Sequence, residues 1–73
     1  TCIGENVLKA IWRKGPNSIV SLQQLANYQA CSTYYLKFIL GRLRQGGWVS
    51  KSKQGYQLTQ DGQYRAAKIV RLH

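Results

Sequence analysis

The sequence predicts a small α+β domain that is mainly α-helical and carries one two-stranded β-hairpin. Three observations support this fold class. Apolar residues recur at helical spacing in four segments, and residue types that begin or end helices separate these segments. Two short runs of β-forming residues flank a glycine near residue 55. With 73 residues, the chain is long enough for one core, so we expect residues 1–73 to form a single domain.

The first two helices follow from apolar spacing and end signals. The first has an apolar arc formed by Val7, Leu8, Ile11 and Trp12. Gly15 and Pro16 end it. Ser21 and Gln24 then have the spacing of a capping box, in which the serine oxygen accepts an early helical N–H. The second helix follows this box and is expected to bury Leu22, Leu25 and Ala26.

The third helix is predicted over residues 32–45, with Ser32 as its N-cap. Its buried face recurs at i, i+3, i+4 and i+7 and consists of Leu36, Ile39, Leu40 and Leu43. Gly46 and Gly47 end the helix. A tight turn around Ala30 and Cys31 joins it to the second helix.

A hairpin and a fourth helix complete the chain. Trp48 and Val49 begin the first strand, residues 51–55 form the turn, and residues 56–58 form the returning strand. Thr59 caps the last helix, whose buried face we expect to be Ala66, Ala67 and Val70. Three helices, a two-stranded wing and a closing helix, with the second and third helices joined tightly, describe a winged helix-turn-helix.

The charge of the chain indicates a polyanionic partner. Eleven lysine and arginine residues face two acids, which gives a formal net charge of +9. Such a surface attracts polyanions, so double-stranded DNA is the expected partner, with an anionic membrane surface second and a solubilising charge as the third interpretation. No apolar run reaches roughly 18 residues, so we expect a soluble segment without membrane insertion.

Other features exclude several function classes. Two cysteines are too few for a disulfide framework, so we expect Cys2 and Cys31 to be reduced and the protein to be cytoplasmic. Glu5 and Asp61 lie at predicted helix starts, and no nucleophile is paired with His73, so we expect no enzymatic activity. Because the chain lacks methionine and ends within a helical pattern, we expect it to be a segment of a longer protein.

The outward face of the third helix is the candidate DNA-binding surface. In a helix-turn-helix this face enters the major groove, where side chains contact base edges and cations hold phosphates. The predicted DNA-binding residues are Ser32, Thr33, Tyr34, Lys37, Phe38, Arg42 and Arg44 on the helix and Lys51 and Lys53 on the wing. Tyr34 and Phe38 leave two interpretations open, because aromatic side chains can contact thymine methyl groups or belong to a protein interface.

Three segments carry a resemblance to a known family. They are ENVLKAIW, VSLQQLANYQACSTYYLKFILGRLRQGGWV and YQLTQDGQYRAAKIVRLH, and they resemble the N-terminal winged-helix domain of the iron- and manganese-dependent repressors, the diphtheria toxin repressor family (DtxR/MntR-like). The last segment looks like that family's LT..G...A...VR.H signature. The resemblance implies the DNA-binding domain of a metal-dependent transcriptional regulator, with a homodimer formed through regions outside this segment.

The resemblance also concerns metal binding. It implies a metal ligand at His73, and it places Asn6 and Lys9 at the family's ligand positions in the first helix. A protonated lysine cannot ligate a divalent ion. We therefore expect an incomplete metal site and no cofactor within this segment, with divalent manganese or iron bound by the full-length protein.

A second resemblance offers an alternative. The segments ENVLKAIW and IVRLH are also similar to a winged-helix domain fused to the cytoplasmic C-terminus of manganese, zinc or iron ABC transporter permeases. This alternative implies a regulatory or protein-interaction domain in metal transport, with transporter subunits as partners. An upstream permease domain would tether it to the inner face of the cell membrane. The sequence leaves the repressor and the permease interpretations open.

Overall fold

The computed structural model describes residues 3–71 and folds them into four helices and one two-stranded antiparallel sheet. The helices are α1 (Gly4–Lys14), α2 (Leu22–Gln29), α3 (Thr33–Gln45) and α4 (Gln60–Arg71). The strands are β1 (Val49–Ser52) and β2 (Gly55–Leu58), paired so that Val49 lies opposite Leu58 and Ser52 opposite Gly55. This is the predicted α+β winged helix-turn-helix. The predicted hairpin bounds are wrong: the turn is shorter than residues 51–55, since residues 51–52 belong to β1 and residue 55 to β2, and Trp48 precedes β1.

The helix ends lie where the sequence predicted them. Ser21 Oγ accepts a hydrogen bond from the Gln24 N–H at 3.1 Å, and Gln24 Oε1 accepts one from the Ser21 N–H at 2.9 Å. Ser32 Oγ caps α3 by accepting from the Tyr35 N–H at 3.2 Å. Gly15 ends α1 with φ of 143°, a conformation that L side chains rarely adopt. These short-range interactions confirm the predicted capping box and the predicted N-cap of α3.

One core joins the four helices and the wing. Its largest fully buried side chains are Leu8, Ile11, Leu25, Leu36, Leu40 and Val7. The sheet is extended by an isolated antiparallel bridge between Val20 and Tyr56, whose backbone N–H groups each donate to the partner's carbonyl oxygen at 2.8 Å. This bridge ties the segment before α2 to the wing and so fixes the wing relative to the helix-turn-helix.

The predicted buried face of α4 is partly wrong. Ala66 is buried as expected, but its buried neighbours are Gly62 and Ile69, while Ala67 and Val70 are only half-buried. Residues 62, 66 and 69 recur at i, i+4 and i+7 and form the side of α4 that packs against α1 and β2. In α2, Leu22 is also half-buried and packs on the edge of the core rather than within it.

The loop before α4 connects three elements through Thr59. Its hydroxyl donates to the Gly47 carbonyl oxygen at 2.6 Å and accepts a hydrogen bond from the Gly62 N–H at 3.0 Å. The Thr59 N–H donates to the Trp48 carbonyl oxygen at 3.0 Å. A single residue therefore caps α4, as predicted, and also holds the end of α3 and the start of β1 in place.

The expectation of a reduced thiol is wrong at Cys31. This residue is disulfide-bonded, and its half-buried side chain packs against the core at the turn between α2 and α3. Cys2 lies outside the described residues. Composition alone did not reveal this bond, because two cysteines far apart in sequence carry no spacing signal.

Candidate nucleic-acid interface

The outward face of α3 has one side that is directed towards the wing. Lys37, Gly41 and Arg44 recur at i, i+4 and i+7 and therefore lie along this side of the helix. Gly41 and Arg44 line a shallow hollow whose opposite wall includes Ser50 and Lys51 of β1. The structure thus brings Arg44 of the helix and Lys51 of the wing to the same hollow.

The other side of the outward face is aromatic. Tyr35, Phe38 and Arg42 recur at i, i+3 and i+7. The Tyr35 and Phe38 rings stack with their centroids 6.4 Å apart, and the Arg42 guanidinium lies over the Phe38 ring at 5.8 Å from its centroid. Arg42 and Arg44 therefore point to opposite sides of α3, and the sequence analysis missed Tyr35 although its spacing from Phe38 signalled the pair.

The start of α3 presents hydroxyl groups and a tyrosine to solvent. Ser32 and Thr33 are exposed, and the Ser32 oxygen already accepts the capping hydrogen bond from the Tyr35 N–H. Because a hydroxyl can donate while it accepts, Ser32 can still donate to an anion at the helix start. Tyr34 is 87% exposed and lies on the line that separates the cationic side from the aromatic side.

The wing carries its two cations at different places. Lys51 lies within β1, and its Nζ atom is 5.9 Å from the ring centroid of the buried Tyr56. Lys53 is exposed in the turn between β1 and β2, at the tip of the wing. The structure therefore places Lys51 beside α3 and Lys53 beyond it, so the two lysines would meet different parts of an extended partner.

The described residues do not fit a metal site. Within residues 3–71 no group of three or more histidine, cysteine, aspartate or glutamate side chains could hold a metal ion. Asn6 and Lys9 line a small hollow between α1 and α2 together with Arg13, and two cations oppose the entry of a divalent ion. His73 lies outside the described residues, so its role as a ligand stays a prediction, as does a metal in the full-length protein.

No helix in the described part of the chain has the length and apolar character needed to cross a bilayer.

Comparison with known proteins identifies the fold. The crystal structure of ScaR with bound Zn²⁺ matches with a TM-score of 0.82 and 22% sequence identity, and the match covers 96% of this chain and 33% of the ScaR chain. No protein-family model matches the sequence, and the search of curated proteins gave no match. The chain thus spans about a third of ScaR and shares the winged helix-turn-helix fold of that part.

Proposed function

We propose that the chain is the DNA-binding domain of a transcriptional regulator of the metal-dependent type. It places α3 in the major groove of double-stranded DNA and the wing on the neighbouring phosphates. The observation that carries this proposal is the convergence of Arg44 and Lys51 on one hollow between α3 and β1. Lys37 is exposed two turns earlier on α3, where it lines a separate hollow beside Tyr34 and Phe38, and it adds a third cation to the proposed surface.

The charge balance supports a polyanion as the partner. The chain has eleven lysine and arginine side chains and only two acids, so most of the cations have no carboxylate within the chain to pair with. Phosphates can neutralise them, and the release of condensed counterions then drives binding. Lys37, Arg44 and Lys51 are assigned to phosphates, with Lys53 reaching further along the backbone.

The centre of the outward face is suited to approach base edges. A Cβ at Gly41 would meet no atom within 4 Å, so the surface there is open and the α3 backbone can come close to the floor of a groove. Tyr34 projects beside it with 87% of its surface exposed. We assign Tyr34 to base contacts, and we assign Ser32 and Thr33 to a phosphate at the helix start, where unpaired backbone N–H groups favour an anion.

The metal response and the homodimer belong to this proposal as functions of residues outside 3–71. The support is twofold: ScaR carries Zn²⁺ in its crystal structure, and two thirds of its chain lie outside the matched part. In this arrangement the described residues bind DNA without catalysing a reaction. The permease-fused alternative, with its transporter partners and membrane tether, has no observation in its favour and stays a prediction of sequence resemblance.

A salt series tests the proposal. A fluorescent DNA duplex titrated with the chain should show affinity that falls linearly on a log–log plot against salt concentration. The four lysine and arginine contacts assigned to the backbone predict a slope of roughly 3.6 in magnitude, since each contributes about 0.9. Fluorescence anisotropy gives the dissociation constant at each salt concentration. A flat plot, or no binding at low salt, would contradict DNA binding by this domain.

A further inference from the structure

An apolar groove runs along the side of α3 that faces away from the wing. We call it the aromatic groove, and its main lining residues are Ile3, Tyr35, Phe38, Leu43 and Trp48. Its volume is about 370 Å³. Ile3, Tyr35 and Phe38 expose 44%, 47% and 58% of their surfaces. Large apolar side chains exposed side by side on a small domain typically mark an interaction surface.

The shape of the groove favours a protein side chain over DNA. The apolar groups that DNA presents in its major groove are thymine methyl groups. A protein contacts them with the convex surface of a helix that enters this groove. The aromatic groove is instead a concave space between two elements, with Phe38 of α3 on one side and Ile3 at the start of α1 on the other. A space of this kind is filled by a leucine or phenylalanine side chain of a helix laid along it.

The charged groups beside the groove define the partner's chemistry. The Arg42 guanidinium lies over the Phe38 ring, and the Arg65 guanidinium lies over the Trp48 ring at 4.9 Å from its centroid. A neighbouring hollow shares Ile3 and Trp48 with the groove and extends it to Arg65 and to Glu5, the one acid beside it among the described residues. The cations outnumber this acid, so carboxylates on the partner would complete the surface.

The same charges disfavour a second copy of this chain. Each copy carries a formal net charge of +9, and two grooves brought together would place Arg42 and Arg65 of both copies near one another. Like charges in contact reduce affinity and slow association. These charges favour a different polypeptide with the opposite charge as the occupant.

We propose that the aromatic groove binds an acidic amphipathic helix of a partner protein. Its apolar residues fill the space between Phe38 and Trp48, and its carboxylates pair with Arg42 and Arg65. A further consequence rests on the proposed DNA-binding function. Because Tyr35 and Phe38 belong to α3, the bound helix lies against the DNA-reading element and excludes α3 from the major groove. The partner and DNA then compete for the domain.

A peptide selection tests the groove directly. Random short peptides displayed on phage are selected on the immobilised chain, and the most enriched sequence is synthesised with a fluorescent label. We expect apolar residues at i, i+3 or i+4, and i+7, flanked by aspartate and glutamate. Phe38→Ala should weaken binding of this peptide by about 10-fold or more, as truncation of a buried aromatic anchor does. Lys53→Ala, an exposed change on the wing, should leave it within about twofold.

The controls separate the outcomes. Urea unfolding shows whether Phe38→Ala remains folded, and Arg42→Ala gives a second variant that keeps the aromatic floor and should also weaken the peptide. Enriched peptides that are acidic without apolar spacing, or that bind Phe38→Ala as well as the parent, would reduce the effect to general charge attraction and overturn the proposal. If sedimentation shows a dimer that Phe38→Ala abolishes, the occupant of the groove is a second copy of the chain. That result would overturn the proposal of an acidic partner.

A competition arm distinguishes this inference from the proposed function. The selected peptide should displace a DNA duplex from the chain at low salt. If the peptide binds in a manner that depends on Phe38 but the chain binds no DNA, the groove proposal stands and the DNA-binding function is refuted. DNA binding that persists with the groove saturated by peptide would refute the exclusion of α3 from DNA.

Discussion

Gly62→Ala is expected to destabilise the domain strongly, although it adds only one methyl group. A Cβ at this position would overlap the Trp48 carbonyl oxygen, a backbone atom fixed by the hydrogen bond that it accepts from the Thr59 N–H. Since neither backbone can yield like a flexible side chain, α4 must move away from Trp48, which disturbs its packing against α1 and β2. We expect a loss of about 3 kcal/mol, the upper end for overpacking of a buried site.

Gly41→Ala is the matched control for this exchange. Gly41 also lies inside a helix, but a Cβ there would meet no atom within 4 Å. Alanine is the better helix former, so this variant should gain about 0.5 to 1 kcal/mol. Urea unfolding followed by circular dichroism measures both variants. Equal midpoints for Gly62→Ala and the parent would show that the contact between the α4 backbone and Trp48 is not as close as described.

Removing Arg44 and Lys51 together is expected to have the largest effect on DNA binding. The two side chains share the hollow between α3 and β1, and each is assigned to a phosphate. The double exchange to alanine should lower the log–log salt slope by roughly 1.8 and weaken binding at low salt by on the order of 30-fold. Fluorescence anisotropy across a salt series measures both quantities on one duplex.

Lys68 and Arg71 provide a control of equal charge. They form the basic last turn of α4, which packs against α1 and β2, and they consist of the same two residue types. Their double exchange to alanine lowers the net charge by the same amount and should change the slope little. If the two double variants lose affinity equally, binding follows total charge, and the assignment of the α3 and wing surface is wrong.

Helix ends were the part of the fold most accurately predicted from sequence. The capping box of Ser21 and Gln24 and the N-cap at Ser32 involve hydrogen bonds between residues three apart, so their residue types are sufficient signals. The buried face of α4 was less predictable. Ala67 and Val70 are similar in apolar character to Ala66 and Ile69, so residue type does not distinguish the two sides of the helix. Only packing against α1 and β2 selects which side is buried.

The elements that lie beside each side of α3 could not be predicted from the helix alone. A helical wheel places Lys37 and Arg42 as two flanks of one face. The structure adds Trp48 and the start of α1 beside Arg42, and β1 beside Arg44. These neighbours come from distant parts of the chain. For Phe38 this arrangement favours the protein-interface interpretation over thymine contact, while Tyr34 lies at the centre of the proposed DNA-binding surface.

The LT..G part of the family signature has a structural explanation. Leu58 is buried in the core, the Thr59 hydroxyl joins Gly47 to Gly62, and Gly62 permits the close approach of α4 to Trp48. None of these residues lies on the cationic side of α3. The residues of this signature therefore serve to join the wing to the last helix. Their resemblance to the family concerns the fold, and so does the structural match at 22% identity.

Amide chemical-shift mapping tests most directly whether α3 and the wing bind DNA. A ¹⁵N-labelled sample of the chain is titrated with a short duplex, and shift changes are followed residue by residue. We expect the largest changes along the cationic side of α3, at Lys37, Gly41 and Arg44, and in β1 around Lys51. Changes concentrated instead at the cations of α4, with α3 and β1 unaffected, would contradict DNA binding through this surface.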